Sequence, residues 1–272
     1  MTRIDTLARN LGFPEGPAFA PDGPLWFVDL GAGSLMRWDG EVTAYPAQGV
    51  PNGAAFDRSG RLVFCDARQN AVRRFSPHTQ VWETLAGELE GEPLRSPNDL
   101  AFDARGNLLF TCPGGSEREP VGYVGCLSPA GELTRIANGL RFPNGLALVD
   151  EGRSLVVAET HRQRLLKGAW DAAARRWQPE PWAEIGGAVG PDGLALGADG
   201  RLYVAVFGSG QVRVVDEAGR VAERVDLPGN NPTNVAFDPA GRLGLVVTEA
   251  ERGELLSLPE LGPGAALWGG AG

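Results

Sequence analysis

"GPDGLALGADGRLYVAV", residues 190–206, is the stretch that decides the fold, because its pattern occurs six times along the 272-residue chain. A proline, Pro191, is followed nine residues later by a glycine, Gly200. Between and after them lie a short apolar segment ("LALG"), a polar turn that ends in glycine, and a second apolar segment ("RLYVAV"). This arrangement predicts a β-hairpin whose turn uses glycine where a positive φ is needed.

The other five blocks keep the same spacing without a gap. They are "FPEGPAFAPDGPLWFVD" from 13, "VPNGAAFDRSGRLVFCD" from 50, "SPNDLAFDARGNLLFTC" from 96, "FPNGLALVDEGRSLVVAE" from 142 and "NPTNVAFDPAGRLGLVV" from 231. Successive blocks begin 37 to 48 residues apart, about the length of one four-stranded propeller blade. The sequence therefore predicts an all-β fold, a six-bladed β-propeller formed as a single domain by residues 1–272.

Two further expectations about the fold accompany this one. The leading "RIDTLARN", residues 3–10, is expected to supply a strand to the last blade, because too little chain follows Leu258 to provide it. The rival architecture is a pair of β-sandwich domains, which would not need six equal blocks. Trp26, Tyr203 and Phe207 alternate with small residues and are expected in the core between blades.

Composition narrows the class of partner. The net charge is −9 and the chain holds one lysine, Lys167, with no cluster of basic residues, so nucleic acid and anionic membranes are not expected as partners. No apolar run approaches the ~20 residues of a membrane helix, and the N-terminus lacks a signal-peptide pattern. We expect a cytoplasmic protein, a monomer or weak dimer, with a small-molecule substrate. The three cysteines, Cys65, Cys112 and Cys126, form no C-x-x-C pair and are expected to be buried free thiols.

One position of the repeat varies in charge while its flanks do not. It follows the block's proline and is called here the slot; in chain order the slot residues are Glu15, Asn52, Asn98, Asn144, Asp192 and Thr233. In a propeller the first strand of each blade lines the central channel, so these six side-chain oxygens should converge. The null explanation is that Asn and Asp suit a turn before a strand, but that does not account for a glutamate.

The slot chemistry favours a metal in the central channel. Two carboxylates facing each other would repel unless a cation lay between them, and a divalent ion would balance Glu15 and Asp192. An all-oxygen set favours Ca²⁺, with Mg²⁺ or Mn²⁺ as alternatives. Zn²⁺ is also an alternative but is disfavoured, because His78 and His161 lie outside the slots and no cysteine occupies one.

The chain resembles the gluconolactonase, regucalcin (senescence marker protein) and luciferin-regenerating-enzyme family over nearly its whole length. The motifs that carry the resemblance are "EGP" at 15–17, "SPNDL" at 96–100, "FPNGLAL" at 142–148 and "PDGLALGADGRLYVA" at 191–205. The resemblance implies a metal held by Glu15, Asn144 and Asp192, with Asn98 as a fourth ligand or a contact through water. It leaves Asn52 and Thr233 as residues that line the channel.

The same resemblance implies a reaction and its residues. The implied chemistry is metal-dependent hydrolysis of a small cyclic ester such as a sugar lactone or aldonolactone, with Asp192 as the catalytic proton acceptor. Arg95 and Asn98 are implied as substrate contacts, although Arg95 is equally explained as a solvated loop arginine. In the loop "CPGGSEREPVGY", Ser116 or Glu117 would touch substrate. His161 would be a wall residue or proton donor, or else a surface histidine.

The sequence leaves several other functions open. A related hydrolase could act on organophosphates, and a lactonase-like propeller could serve a biosynthetic cyclisation or isomerisation. A non-enzymatic propeller that binds protein partners is the alternative from another class. That last alternative does not need a charge-balanced set of oxygen ligands in the channel.

Overall fold

The computed structural model describes residues 2–114 and 119–266, which form β-strands joined by short turns. A short strand, β1 (Asp5–Ala8), comes first. Blade 1 then contains β2 (Pro14–Phe19), β3 (Leu25–Asp29), β4 (Ser34–Trp38) and β5 (Val42–Pro46). Blade 2 contains β6 (Pro51–Phe56), β7 (Leu62–Asp66), β8 (Ala71–Ser76) and β9 (Val81–Ala86), and is followed by a small hairpin of β10 (Glu88–Leu89) and β11 (Glu92–Pro93).

The second half of the chain repeats this order. Blade 3 contains β12 (Leu100–Phe102), β13 (Leu108–Cys112), β14 (Gly122–Leu127) and β15 (Leu133–Leu140). Blade 4 contains β16 (Pro143–Val149), β17 (Ser154–Glu159), a 3-10 turn (Thr160–Arg162), β18 (Arg164–Asp171), β19 (Arg176–Trp177) and β20 (Glu180–Glu184). Blade 5 contains β21 (Gly190–Leu196), β22 (Leu202–Phe207), β23 (Gln211–Val215) and β24 (Val221–Asp226), and blade 6 contains β25 (Pro232–Phe237), β26 (Leu245–Glu249) and β27 (Glu254–Leu258).

The blades close into one ring. Within each blade neighbouring strands pair antiparallel from the inner strand outward, and in blade 4 both β19 and β20 pair with β18. The inner strands β2, β6, β12, β16, β21 and β25 each contact the next, and β25 contacts β2. The six-bladed propeller predicted from the repeat is therefore confirmed, and the two-sandwich alternative is wrong because the inner strands form one continuous ring.

The N-terminal strand completes blade 6, as the sequence predicted. β1 pairs antiparallel with β27, with Asp5 opposite Ser257 and Thr6 opposite Leu256. Blade 6 thus takes three strands from the end of the chain and its outer strand from the beginning. This pairing covers the open edge of β27 and joins the two ends of the ring by main-chain hydrogen bonds.

The glycine that marks each hairpin lies in the left-handed region. The six residues are Gly23, Gly60, Gly106, Gly152, Gly200 and Gly241, with φ values between 70° and 110°. In the turn of blade 5, for example, the N–H of Gly200 donates to the carbonyl of Gly197 at 3.1 Å. Residues other than glycine would be strained at this φ, which explains why the nine-residue spacing always ends on glycine.

The core consists of apolar layers between neighbouring blades. Trp26 and Tyr203 are buried in such layers, as predicted. The three cysteines are free and buried, which confirms the prediction of buried free thiols. The prediction for Phe207 is wrong, because this residue ends β22 and its side chain is only half-buried. In the part of the chain that the structure describes, no helix has the length and apolarity needed to cross a membrane.

Candidate active site

The slot residues converge at the N-terminal ends of the inner strands. Five of them lie on these strands and are buried. Asn98 is the exception, because β12 begins two residues later, at Leu100. The Asn98 backbone is nevertheless fixed, since its N–H donates to Thr111 O at 2.8 Å and its carbonyl accepts the Gly53 N–H at 2.7 Å. The ring of inner strands therefore brings distant sequence positions together at one end of the channel.

All three asparagine slots have a buried side-chain oxygen without a hydrogen-bond partner. The Oδ1 atoms of Asn52, Asn98 and Asn144 are buried and have no hydrogen-bond partner among the described residues. Leaving a buried acceptor unsatisfied costs about 1–3 kcal/mol each. Three such atoms at the same repeat position, close to buried carboxylates, indicate acceptors prepared for a bound cation or its water.

The carboxylates of the site have perturbed acidity. Burial, together with the charge of Asp99, raises the pKa of Glu15 to about 8. Burial and the charges of Glu15 and Asp99 raise the pKa of Asp192 well above its ordinary value, and a hydrogen bond from Asn144 opposes that shift. Without a counter-ion these groups resist being charged together, so the channel end favours binding of a cation.

A third carboxylate, Asp99, was missed by sequence reasoning. It is buried, and burial raises its pKa to about 6. The amide of Asn234 lies between it and the slot glutamate: Asn234 Nδ2 donates to Glu15 Oε2 at 2.9 Å and to Asp99 Oδ2 at 3.3 Å. Glu15 Oε2 also accepts the N–H of Gly16. Asn234 of blade 6 therefore holds the carboxylates of blades 1 and 3 in fixed positions.

The repeat itself carries the signal that would have revealed this pair. One place after the slot, four blades have glycine (Gly16, Gly53, Gly145 and Gly193), and only blades 3 and 6 have a side chain, Asp99 and Asn234. Two of these glycines, Gly53 and Gly193, leave the room that the Asp99 and Asn234 side chains fill. A Cβ on Gly53 would lie 2.1 Å from Asp99 Oδ1, and one on Gly193 would lie 2.0 Å from Asn234 Oδ1.

In four blades a carboxylate at the end of the second strand anchors the backbone before the slot. The Asp29 carboxylate accepts the N–H groups of Gly12 at 2.7 Å and Phe13 at 2.9 Å, just ahead of Glu15. The corresponding acceptors and donors in the other three blades are Asp66 with Val50, Glu159 with Arg141, and Glu249 with Asn231. We call these four carboxylates the anchoring carboxylates. They fix the direction from which the inner strand enters the channel.

The residues predicted to contact substrate do not converge as the slot residues do. Arg95 is exposed and lines a cavity of about 280 Å³ beside blade 3, together with Tyr123 and Arg135. His161 is half-buried on the 3-10 turn, with its ring 4.6 Å from that of Phe142, a neighbour of the Asn144 slot. Ser116 and Glu117 lie outside the described residues. The roles of Arg95, Glu117 and His161 toward substrate stay predictions.

The expectation that Thr233 lines the channel is wrong. It is fully buried, and its hydroxyl donates to the carbonyl of Pro14 at 2.7 Å. The physical reason is that a hydroxyl this close to a neighbouring inner strand is used to satisfy that strand's backbone. Thr233 thereby holds the residue before Glu15 rather than facing a ligand.

The donor set fits a hard cation but not a soft one. Within residues 2–114 and 119–266, no group of three or more His, Cys, Asp and Glu side chains could hold a metal by itself. A site at this end of the channel would instead combine Glu15 and Asp192 with the amide oxygens of Asn98 and Asn144. Carboxylate and amide oxygens are the ligands that Ca²⁺ and Mg²⁺ prefer.

Comparison with known proteins gives consistent matches. The family model described as "SMP-30/Gluconolactonase/LRE-like region" matches residues 13–251. The chain is similar to diisopropyl-fluorophosphatase of Loligo vulgaris, with 28% identity covering 87% of this chain and 85% of that protein. It is also similar to pentonolactonase XacC of Haloferax volcanii, with 27% identity covering 92% and 85%. A solved structure described as a gluconolactonase from Xanthomonas campestris superposes with a TM-score of 0.85 at 29% identity, covering 95% of this chain and 89% of that chain.

Proposed function

We propose that this chain, which belongs to the SMP-30/gluconolactonase/LRE-like family, hydrolyses a small lactone with the help of one divalent cation at the channel end. The observation that carries the proposal is the cluster of three unsatisfied amide oxygens beside three buried carboxylates. Names of similar proteins, a gluconolactonase and a pentonolactonase, support lactones as the substrate class and place aldonolactones in the first panel to test.

The residues proposed to hold the cation are Glu15, Asn98, Asn144 and Asp192, with Ca²⁺ as the first choice. When bound, a divalent ion stabilises negative charge on a carbonyl oxygen and lowers the pKa of a nearby water. Asp192 is the proposed proton acceptor, through a carboxylate oxygen that is not a ligand. Asn144 donates a hydrogen bond to the Asp192 side chain and so fixes its orientation.

Burial of the site contributes to the proposed reaction in two ways. Glu15 and Asp192 are only 4% and 7% exposed, so few waters solvate their carboxylates. Electrostatic interactions with the developing negative charge are also stronger where water is excluded. Asn98, which is half-buried, lies closer to solvent than either carboxylate and is the proposed contact for the substrate's polar atoms.

The test combines metal content with turnover. Purified protein is assayed for bound metal, and hydrolysis of a lactone panel is measured before and after chelation, with Ca²⁺ added back. Asp192→Ala should lose at least about 100-fold in kcat, as expected when a positioned proton acceptor is removed. Asp22→Ala is the matched control, because Asp22 is an exposed aspartate in the hairpin turn after β2. Unchanged turnover in Asp192→Ala, or full activity after chelation, would contradict the proposal.

A second candidate is hydrolysis of organophosphates. It is favoured by the similarity to diisopropyl-fluorophosphatase, which extends over most of both chains. The same site would stabilise charge on a phosphoryl oxygen instead of a carbonyl oxygen. Fluoride release from a dialkyl fluorophosphate, measured in parallel with the lactone panel, distinguishes the two: the better substrate class is the one with the larger kcat/KM.

A further inference from the structure

The position occupied by Phe207 is used differently in most other blades. The last residue of the second strand is an anchoring carboxylate in blades 1, 2, 4 and 6, whereas β13 ends in Cys112 and β22 ends in Phe207. Cys112 is fully buried in a core layer, but the Phe207 ring is half-buried. The Phe207 ring cannot accept backbone N–H groups as the anchoring carboxylates do, and it is not buried in a core layer. We therefore looked for its contacts at the channel entrance.

Phe207 meets a second ring from across the channel. Its centroid is 6.4 Å from that of Phe13, and the two planes are inclined by 25°. Phe13 belongs to blade 1 and Phe207 to blade 5, and blade 6 lies between them in the ring. Rings from blades that are not neighbours can meet only over the entrance, above the start of the blade 6 inner strand. We call this pair the aromatic wall.

The aromatic wall is tied closely to the candidate site. Phe13 directly precedes Pro14 and Glu15, and its N–H is held by Asp29. Phe207 pairs with Gly190 at the edge of the β21–β22 ladder, two residues before Asp192. Both rings are thus fixed within two residues of a slot carboxylate, either along the chain or across the ladder.

Apolar surface continues beside the wall. Val189, 38% exposed, directly precedes Gly190 and so lies next to the position opposite Phe207. It also approaches the chain after Phe207, because a Cβ on Gly208 would lie 3.0 Å from Val189 Cγ2. Elsewhere on the entrance, the Phe142 and His161 rings contact each other at an angle of 31°, next to the Asn144 slot. Polar slots therefore lie beneath an entrance with apolar faces.

We infer that Phe13 and Phe207 determine specificity, and that the substrate is a lactone with an apolar substituent, alkyl or aryl, on its ring. This inference rests on the proposed lactonase function. A polyhydroxylated ring placed against the wall would lose hydrogen bonds to water and find no partners on the two phenyl faces. An apolar substituent would instead gain from burial, at roughly 25 cal/mol per Å² removed from water.

The experiment compares matched δ-lactones that differ only in their substituents. Unsubstituted δ-valerolactone, an alkyl-substituted δ-lactone and glucono-δ-lactone are assayed with wild type, Phe13→Ala and Phe207→Ala. Phe102→Ala is the control, because it removes another half-buried phenyl ring at the far end of an inner strand. Wild type should prefer the alkyl lactone over glucono-δ-lactone, and each wall variant should lose about tenfold in kcat/KM for the alkyl lactone. For δ-valerolactone neither wall variant should change kcat/KM by more than about twofold.

Two results would overturn the inference. One is a wild-type preference for glucono-δ-lactone, and the other is an equal loss on all three lactones in Phe207→Ala. Calorimetric binding of the corresponding δ-lactams, which resist hydrolysis, separates this inference from the proposed reaction. If no lactone is hydrolysed but the alkyl lactam binds and loses affinity in Phe207→Ala, the wall is supported and the reaction is wrong. If the alkyl lactam binds equally well to wild type and Phe207→Ala, the inferred role of the aromatic wall is wrong, whatever the reaction.

Discussion

Replacing Glu15 with glutamine should have opposite effects with and without metal. Glu15 Oε2 accepts hydrogen bonds from Gly16 and Asn234, and a glutamine oxygen in the same place would keep both. The substitution therefore removes a charge and little else. In metal-free protein it should stabilise the fold at alkaline pH, whereas in the presence of Ca²⁺ it should abolish the stabilisation that the ion provides.

The magnitude follows from the acidity of Glu15. Burial and the Asp99 charge raise its pKa from 4.5 to about 8. The native state then binds more protons than the unfolded state between these two values, so the free energy of unfolding of metal-free wild type falls as pH rises through that window. At 1.36 kcal/mol per pKa unit the full loss is about 5 kcal/mol above pH ~8, and it is absent below pH ~4.5. Glu15→Gln escapes this loss, so its advantage over wild type should grow across the same window.

The assay is urea unfolding in the presence of a chelator at pH 5, 7 and 9, followed by the fluorescence of the seven tryptophans. Glu249→Gln is the matched control. The buried Glu249 carboxylate accepts N–H groups from Asn231, Glu251 and Arg252, so this variant should be less stable than wild type at every pH. With Ca²⁺ at 100 times its Kd, wild type should gain about 2.7 kcal/mol and Glu15→Gln nothing. Without metal, a difference in unfolding free energy between Glu15→Gln and wild type that is the same at pH 9 as at pH 5 would refute the predicted effect of the Glu15 charge.

Three further predictions concern the scaffold. Gly53→Ala should destabilise the protein by about 1–3 kcal/mol in thermal unfolding, because the new Cβ would lie 2.1 Å from Asp99 Oδ1. Gly87→Ala is the control and should be nearly neutral, since a Cβ there would have no atom within 4 Å. Equal effects of the two substitutions would contradict the packing argument. Deleting residues 1–8 removes β1 and exposes the edge of β27, so light scattering should show aggregation of the truncated chain but not of one lacking residues 1–3. A thiol reagent should label none of Cys65, Cys112 and Cys126 in the native protein and all three after unfolding, since all are buried and free; rapid labelling of the native protein would show that the layers between blades open.

The candidate site was only partly accessible from the sequence. The slots could be identified from the sequence because one position of the repeat varies in residue type while the positions around it stay the same. Asp99 and Asn234 stand one place further along the same frame, but their pairing with Glu15 depends on side chains that reach across the ring and on glycines that leave room for them. Likewise, Phe207 looked like a core residue, since nothing in its strand pattern shows that its ring meets Phe13 from a blade two places away.

By itself, the sequence determined the propeller, its six blades and the closure by the N-terminal strand. These features follow from local requirements repeated at fixed spacing: an apolar hairpin, a glycine at positive φ and a short polar turn. Only the tertiary structure decided which side chains meet at the channel end, which oxygens lack partners and which rings form the entrance. The physical reason is that strand and turn preferences act between neighbours in sequence, whereas burial, charge repulsion and ring contacts at the site depend on residues up to 219 positions apart.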